Sequence, residues 1–274
     1  MPPEGSAARP KGRSPLERLI SREQAVVGLC LAVLIALAWF WLASAPPGGH
    51  GMEGGHSGMA MPAAPPDPWS AGYLLPAFAM WTLMMVAMML PSAAPMILLY
   101  SRVAARSDRG PPLAPLVLCA YLALWTGFAA FAALAQALLI ATGLVGEMSL
   151  AIGDRRVAGA LLLLAGLYQL TPLKRACLEQ CRSPLSFILR LSRPGAAGAL
   201  RLGAAHGLYC LGCCWALMLL LFVGGVMNLA WIAGLALLVV VEKFAPARLW
   251  ISRLIATVLV VAGATLMAIP GLGR

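Results

Sequence analysis

Seven long, nearly unbroken apolar runs dominate the chain, at about 24–45, 73–100, 114–142, 157–173, 204–225, 228–242 and 250–269. An α-helix needs roughly 20 apolar residues to cross the hydrocarbon of a bilayer, and most of these runs approach or exceed that length. Only helices and closed barrels satisfy every backbone polar group in lipid. The pattern therefore predicts an all-α, polytopic transmembrane helix bundle of about seven spans.

The polar intervals divide the chain further. Residues 1–23 carry Lys11 and four arginines and read as a short basic cytoplasmic tail. The run at 24–45 reads as an N-terminal membrane anchor. It ends in Ala43-Ser44-Ala45, which resembles a signal-peptidase site. The run is long for a signal sequence, so an uncleaved anchor is expected; cleavage would leave six spans in the same orientation. Residues 46–72 are rich in Gly, Pro, His and Met and contain neither Lys nor Arg, the composition of a flexible loop. Residues 73–270 form the remaining six-span membrane domain.

The cations orient this arrangement. The tail, the connection after the second run, the connection after the fourth and the connection between the sixth and seventh hold 17 of the 20 Lys and Arg; Arg155, Arg156 and Arg274 are the others. Positive charge marks the cytoplasmic side. The N-terminus is then cytoplasmic, the 46–72 loop extracytoplasmic, and the expected location is the inner (plasma) membrane. No internal repeat of the inverted-transporter kind is visible.

Composition agrees. The chain is 61% hydrophobic and 11% charged, with a mean hydropathy of +0.85, whereas a soluble domain carries roughly 25% charged residues. The net charge of +10 sits in short connections and follows membrane orientation. It carries no basic–aromatic groove pattern, so nucleic acid is not an expected partner. Seven cysteines are present, mostly within apolar segments or on the reducing side. Disulfides are disfavoured there, which leaves metal binding or thiol redox work.

Four clusters carry candidate chemistry. In Met80-Trp81-Thr82-Leu83-Met84-Met85-Val86-Ala87-Met88-Met89-Leu90-Pro91, five of twelve residues are Met. At about 100° per residue Met84, Met85, Met88 and Met89 share one helix face, with Met80 at its edge. Thioethers suit Cu(I), although Met also serves as flexible packing. In the fifth run His206, Cys210, Cys214 and Met218 recur every four residues, and Cys213 borders the same face. A histidine inside an apolar span points to function; the alternative is that small Cys side chains ease helix packing. Cys177 and Cys181 share a face after the fourth run, beside Lys174 and Arg175, which would favour thiolate. For that pair alone metal binding, thiol redox and interfacial packing stand open. The loop residues His50, His56, Met59 and Met61 make a weak extracytoplasmic copper site or a plain linker. Glu242-Lys243 reads first as an interfacial anchor at a span's end and second as a pair that supports or gates the metal site, and Cys30 and Cys119 as packing.

MWTLMMVAMMLP at 80–91, YQLTPLKRACLEQCRSP at 168–184, GLYCLGCCWALMLLLFVGGVMN at 207–228 and the EK at 242–243 together resemble a bacterial and archaeal family of predicted metal-binding integral membrane proteins. The resemblance spans roughly residues 73–270. It implies metal binding, with copper handling as the favoured context.

The reading is a non-enzymatic membrane protein that binds Cu(I) in the bundle core. It would deliver copper to a membrane or periplasmic cuproenzyme, or move it across the membrane. Its expected partners are membrane lipid, the metal ion and a cuproenzyme or other membrane protein. Two other readings use the same residues: a membrane thiol oxidoreductase built on Cys177, Cys181 and the Cys210–Cys214 group, and a non-catalytic assembly subunit. No Walker A loop, nucleophile elbow, HExxH or dinucleotide fingerprint is present.

Overall fold

The computed structural model describes residues 15–44, 67–105, 113–145, 150–245 and 248–268. They form ten helical segments: α1 Pro15–Ser44, α2 Ala71–Ala105, α3 Ala114–Ala141, α4 Arg155–Gln169, α5 Pro172–Arg182, α6 Pro184–Leu191, α7 Gly195–Leu219, α8 Leu221–Gly224, α9 Leu229–Phe244 and α10 Arg248–Ala268. An isolated antiparallel bridge joins Val145 to Ile152. Every apolar run of the sequence coincides with a helix.

Five helices or continuous helical stretches are long and apolar enough to cross a membrane, at Gln24–Ser44, Ala71–Ala104, Ala114–Ala141, Gly195–Gly224 and Trp250–Ala268. A sixth exists if α4 and α5 count as one broken span, bent by 65°. The bend has a local cause. Pro172 cannot continue α4, and the Thr171 side chain accepts a hydrogen bond from the Lys174 backbone N–H at 3.3 Å, capping a new helix. At 16 residues α9 falls short of a spanning length, so the seven apolar runs yield five such spans, or six with the bent pair.

α3 lies between α2 and α7, α1 lies against α2, α4 packs on α10, and α5 rests on α7. The α3–α7 crossing is close because Gly203 faces the Val117 backbone, where any Cβ would collide with the carbonyl. α2 stays one helix through Pro76, Pro91 and Pro95. Pro91 has no N–H to offer the carbonyl four residues earlier, that of Ala87. The Trp39 indole of α1 donates to that carbonyl instead, at 3.1 Å, which ties the first helix to the bundle. Large apolar side chains such as Leu29, Phe40, Leu134, Leu167 and Val258 face outward. Such an apolar exterior is stable against lipid rather than water.

Candidate metal centre

α7 presents its sulfur stripe to the interior. His206, Cys210, Cys213, Cys214 and Met218 are all buried, as their four-residue spacing predicts. Met84, Met85, Met88 and Met89 of α2 are likewise sealed from solvent. Thiols and thioethers belong to one continuous buried core, so neither set points outward.

Cys210 is the hub. Its Sγ lies 3.2 Å from the Tyr121 hydroxyl of α3 and accepts from Lys243 Nζ of α9 at 3.0 Å. The Lys243 ammonium also donates to Ser92 Oγ of α2 at 2.8 Å. Tyr121 donates to the Met89 carbonyl at 3.1 Å, and Ser92 to the same carbonyl at 2.8 Å. Four helices thus meet around one thiol. α2 contributes through the backbone and a serine at the end of its methionine face. One turn along α7, Cys213 and Cys214 bring their sulfurs to 3.1 Å, and Cys213 donates to the Cys210 carbonyl at 3.1 Å.

α5 adds a fourth thiol. The Cys181 side chain, half-buried, interacts with those of Cys210 and Cys213. Cys177 is buried one turn earlier and lies against α7 at Gly212, where a Cβ would stand 2.8 Å from its sulfur. Gly212 is thus what lets α5 carry its cysteines onto the α7 stripe. Lys174, expected to favour thiolate in this pair, is engaged elsewhere: its Nζ donates to Glu242 Oε2 at 2.8 Å, deep in the fold.

His206 sits one turn before Cys210 between the rings of Tyr121 and Phe187, at centroid distances of 5.5 and 5.7 Å. Among the described residues neither ring nitrogen has a hydrogen-bond partner. A buried imidazole normally finds one, so this one retains its full ligating capacity.

Residues 78–266 match the family model described as PpoB2, copper chaperone. The chain belongs to the PpoB2 copper chaperone family. The match covers more than two thirds of the chain and includes both sulfur-bearing segments, Cys177, Cys181, Glu242 and Lys243. No curated protein and no solved structure matches the chain.

Copper as cargo can be set against the donors of this PpoB2-family chain. Among the described residues no group of three or more His, Cys, Asp or Glu side chains is already drawn around one point. The thiols approach in pairs, and a linear Cu(I) bis-thiolate uses a pair. The soft thiol and thioether composition suits Cu(I) over hard cations. The four loop residues His50, His56, Met59 and Met61 lie outside the described residues and outside the family match.

Tyr121 and Ser92 are the residues that sequence reasoning missed, and Lys243 was read only in second place as a residue supporting the site. Glu242-Lys243 reads as an interfacial anchor, yet both side chains are buried, at 2% and 5% exposure. The one available signal was a Glu-Lys pair abutting an apolar run; its partners lie too far away in sequence to be read from spacing.

Proposed function

We propose that this PpoB2-family chain is an integral membrane protein, N-terminus cytoplasmic, that carries Cu(I) on thiols inside its bundle and passes it to a membrane or periplasmic cuproenzyme. The observation that carries this reading is the buried Cys210 thiol with the Lys243 ammonium 3.0 Å away. A Cu(I) bis-thiolate carries one net negative charge. An uncompensated charge in a low-dielectric interior is very costly. Lys243 supplies the opposite charge beside the sulfur, so the loaded centre is neutral as a whole. Proton release from the thiols accompanies loading, since thiolate is the ligand.

Cys210 with Cys213 or Cys214 supplies the thiolates, and His206, one turn away with both nitrogens unpartnered, is a further donor. The thioethers of Met84, Met85, Met88 and Met89 offer neutral, weaker donors along α2, suited to passing the ion on rather than holding it. Cys181, half-buried beside Cys210 and Cys213, is placed for exchange of the ion with a cytoplasmic thiol donor. Copper collection or release at His50, His56, Met59 and Met61 on the other side completes the path.

Equilibrium metal analysis of the purified protein and of a Cys210→Ser/Cys213→Ser/Cys214→Ser variant tests the reading. The wild type should retain copper and the variant should not; equal, near-zero copper in both removes it. Thiol alkylation separates the oxidoreductase reading. Protection lost only with a Cu(I) chelator supports copper carriage, and protection lost only with a reductant supports disulfide chemistry.

A further inference from the structure

Away from the sulfur centre, a cavity of about 290 Å³ opens between the end of α4, the outer face of α5 and the start of α10. That volume is near the lower bound for small-molecule sites. Three guanidinium groups line it, those of Arg175, Arg182 and Arg253, against a single carboxylate, Glu179. Arg182 is committed to the structure: its Nε donates to the Glu242 carbonyl at 3.1 Å. Arg175 reaches only the Leu170 carbonyl, at 3.4 Å, and Arg253 is exposed. At the floor, Ser252 donates to Glu242 Oε1 at 2.8 Å, and Lys174 neutralises that carboxylate from behind.

Gln169 turns this basic cavity into a candidate site. It lines the wall, is 2% exposed, and among the described residues has no hydrogen-bond partner at either Oε1 or Nε2. A buried primary amide with neither function satisfied is costly unless a ligand supplies the missing partners. The complement of this lining is an anion that also carries a hydroxyl. Oxyanion oxygens would accept from the guanidinium groups and Gln169 Nε2, and a hydroxyl would donate to Gln169 Oε1.

We propose that this cavity binds a hydroxylated phosphate ester, with a phosphatidylglycerol-type lipid headgroup as its source. The cavity lies at the basic end of the bundle, where the lysines and arginines flanking the apolar spans concentrate. Of its lining, Leu170 is exposed, as are Leu167 of α4 and Leu254 of α10, and acyl chains can lie along such a surface. Basic pockets between spans at a membrane surface take acidic headgroups in this way. The site is independent of copper: no sulfur lines it.

Native mass spectrometry of the full chain, released from mixed phosphatidylglycerol and phosphatidylcholine membranes in mild detergent, tests the proposal. The wild type should retain phosphatidylglycerol in preference to phosphatidylcholine. Arg175→Gln/Arg253→Gln should weaken retention roughly fivefold for each arginine, the weight of one cation near an acidic headgroup. Gln169→Leu should weaken it as well. Glu179→Gln removes the lone carboxylate of the lining and should strengthen retention, an outcome that misfolding cannot mimic. Equal retention of the two lipids by the wild type, or unchanged retention in the double arginine variant, overturns the proposal. Millimolar glycerol phosphate added in detergent separates the sources. Persistence of the bound lipid supports the headgroup, and complete displacement by glycerol phosphate with the same arginine dependence assigns the cavity to the soluble ester instead.

Discussion

Two buried lysines occupy neighbouring parts of the bundle and have opposite surroundings. Lys174 of α5 faces the Glu242 carboxylate at 2.8 Å, and Ser252 fills the other carboxylate oxygen. Lys243, the next residue along from that glutamate, turns to α2 and α7 and faces a serine hydroxyl and a thiol. The first cation meets a group that is already its charge complement, and the pair closes on itself. The second meets a serine hydroxyl and a thiol, so its charge complement is Cys210 in its thiolate form, the form a soft metal would bind. A buried ion pair of the first kind clamps α5, α9 and α10 together. A buried cation of the second kind is a charge waiting for an anion, which is what a soft-metal site needs in a medium that tolerates little net charge.

Removing each lysine in turn separates the two roles. Lys174→Met leaves Glu242 buried with its cation gone and should destabilise the fold by about 3–5 kcal/mol. Thermal or denaturant unfolding in detergent would measure this, and copper bound per folded chain should be unchanged. A stability equal to wild type would mean that the pair clamps nothing. Lys243→Met replaces a cation by an apolar side chain of similar length beside a serine and a thiol, and the thiol can keep its proton once the cation is gone. The copper-free protein should be at least as stable as wild type. Its Cu(I) affinity should fall roughly 10–100-fold, the usual effect of removing a group that supports a ligand, or about 1.4–2.7 kcal/mol. Competition against a Cu(I) chelator of known affinity reads it. The reverse outcome, an unstable protein with unaltered affinity, would make Lys243 a second structural clamp.

That division was only partly legible in the sequence. The apolar runs announced every long helix because a helix with an apolar exterior as well as an apolar interior leaves a continuous signal. The α7 stripe was legible because four-residue spacing maps directly onto a helix face. The methionine face of α2 was legible for the same reason. Lys243 was legible only as one of two readings: a charge at the end of an apolar run has the same local pattern whether it reaches out to headgroups or inward to Cys210. Tyr121 and Ser92 were silent, one aromatic and one hydroxyl among many. The α4–α5 bend was half-visible in Pro172, and Cys177 and Cys181 were legible as one helix face; that this face delivers Cys181 to α7 was hidden in a segment that reads as a basic connection. Local periodicity shows which residues turn inward; it does not show which inward residues meet.

The methionine face sharpens the contrast from the other direction. Thioethers are neutral whether or not a metal is bound, so they need no lysine as counter-charge. Replacing Met84, Met85, Met88 and Met89 together by Leu nearly conserves volume and should cost less than about 1.5 kcal/mol per site in stability. Equilibrium Cu(I) affinity should fall by less than tenfold, under about 1.4 kcal/mol. Transfer of copper to an acceptor should slow more than affinity falls if the neutral donors serve passage. A loss of affinity matching that of Lys243→Met would place the resting ion on the thioethers.

The smallest effect is expected at Cys30 and Cys119, and it tests placement against mere sulfur content. Both thiols are exposed on the outer faces of α1 and α3, although Cys119 lies only two residues from Tyr121, whose hydroxyl touches Cys210. Adjacent residues on a helix point about 100° apart, so a position that close in sequence can still face away from the centre. Cys30→Ser/Cys119→Ser should leave copper content, affinity and stability at wild-type values. In the wild type these two thiols should react with a membrane-permeant alkylating reagent at the same rate with and without copper. Cys210, Cys213 and Cys214 should be protected when copper is bound and become reactive when it is chelated. Copper-dependent protection of Cys119 would mean that the ion is held on the outward side of α3, and the inward charge complement supplied by Lys243 would then have nothing to balance.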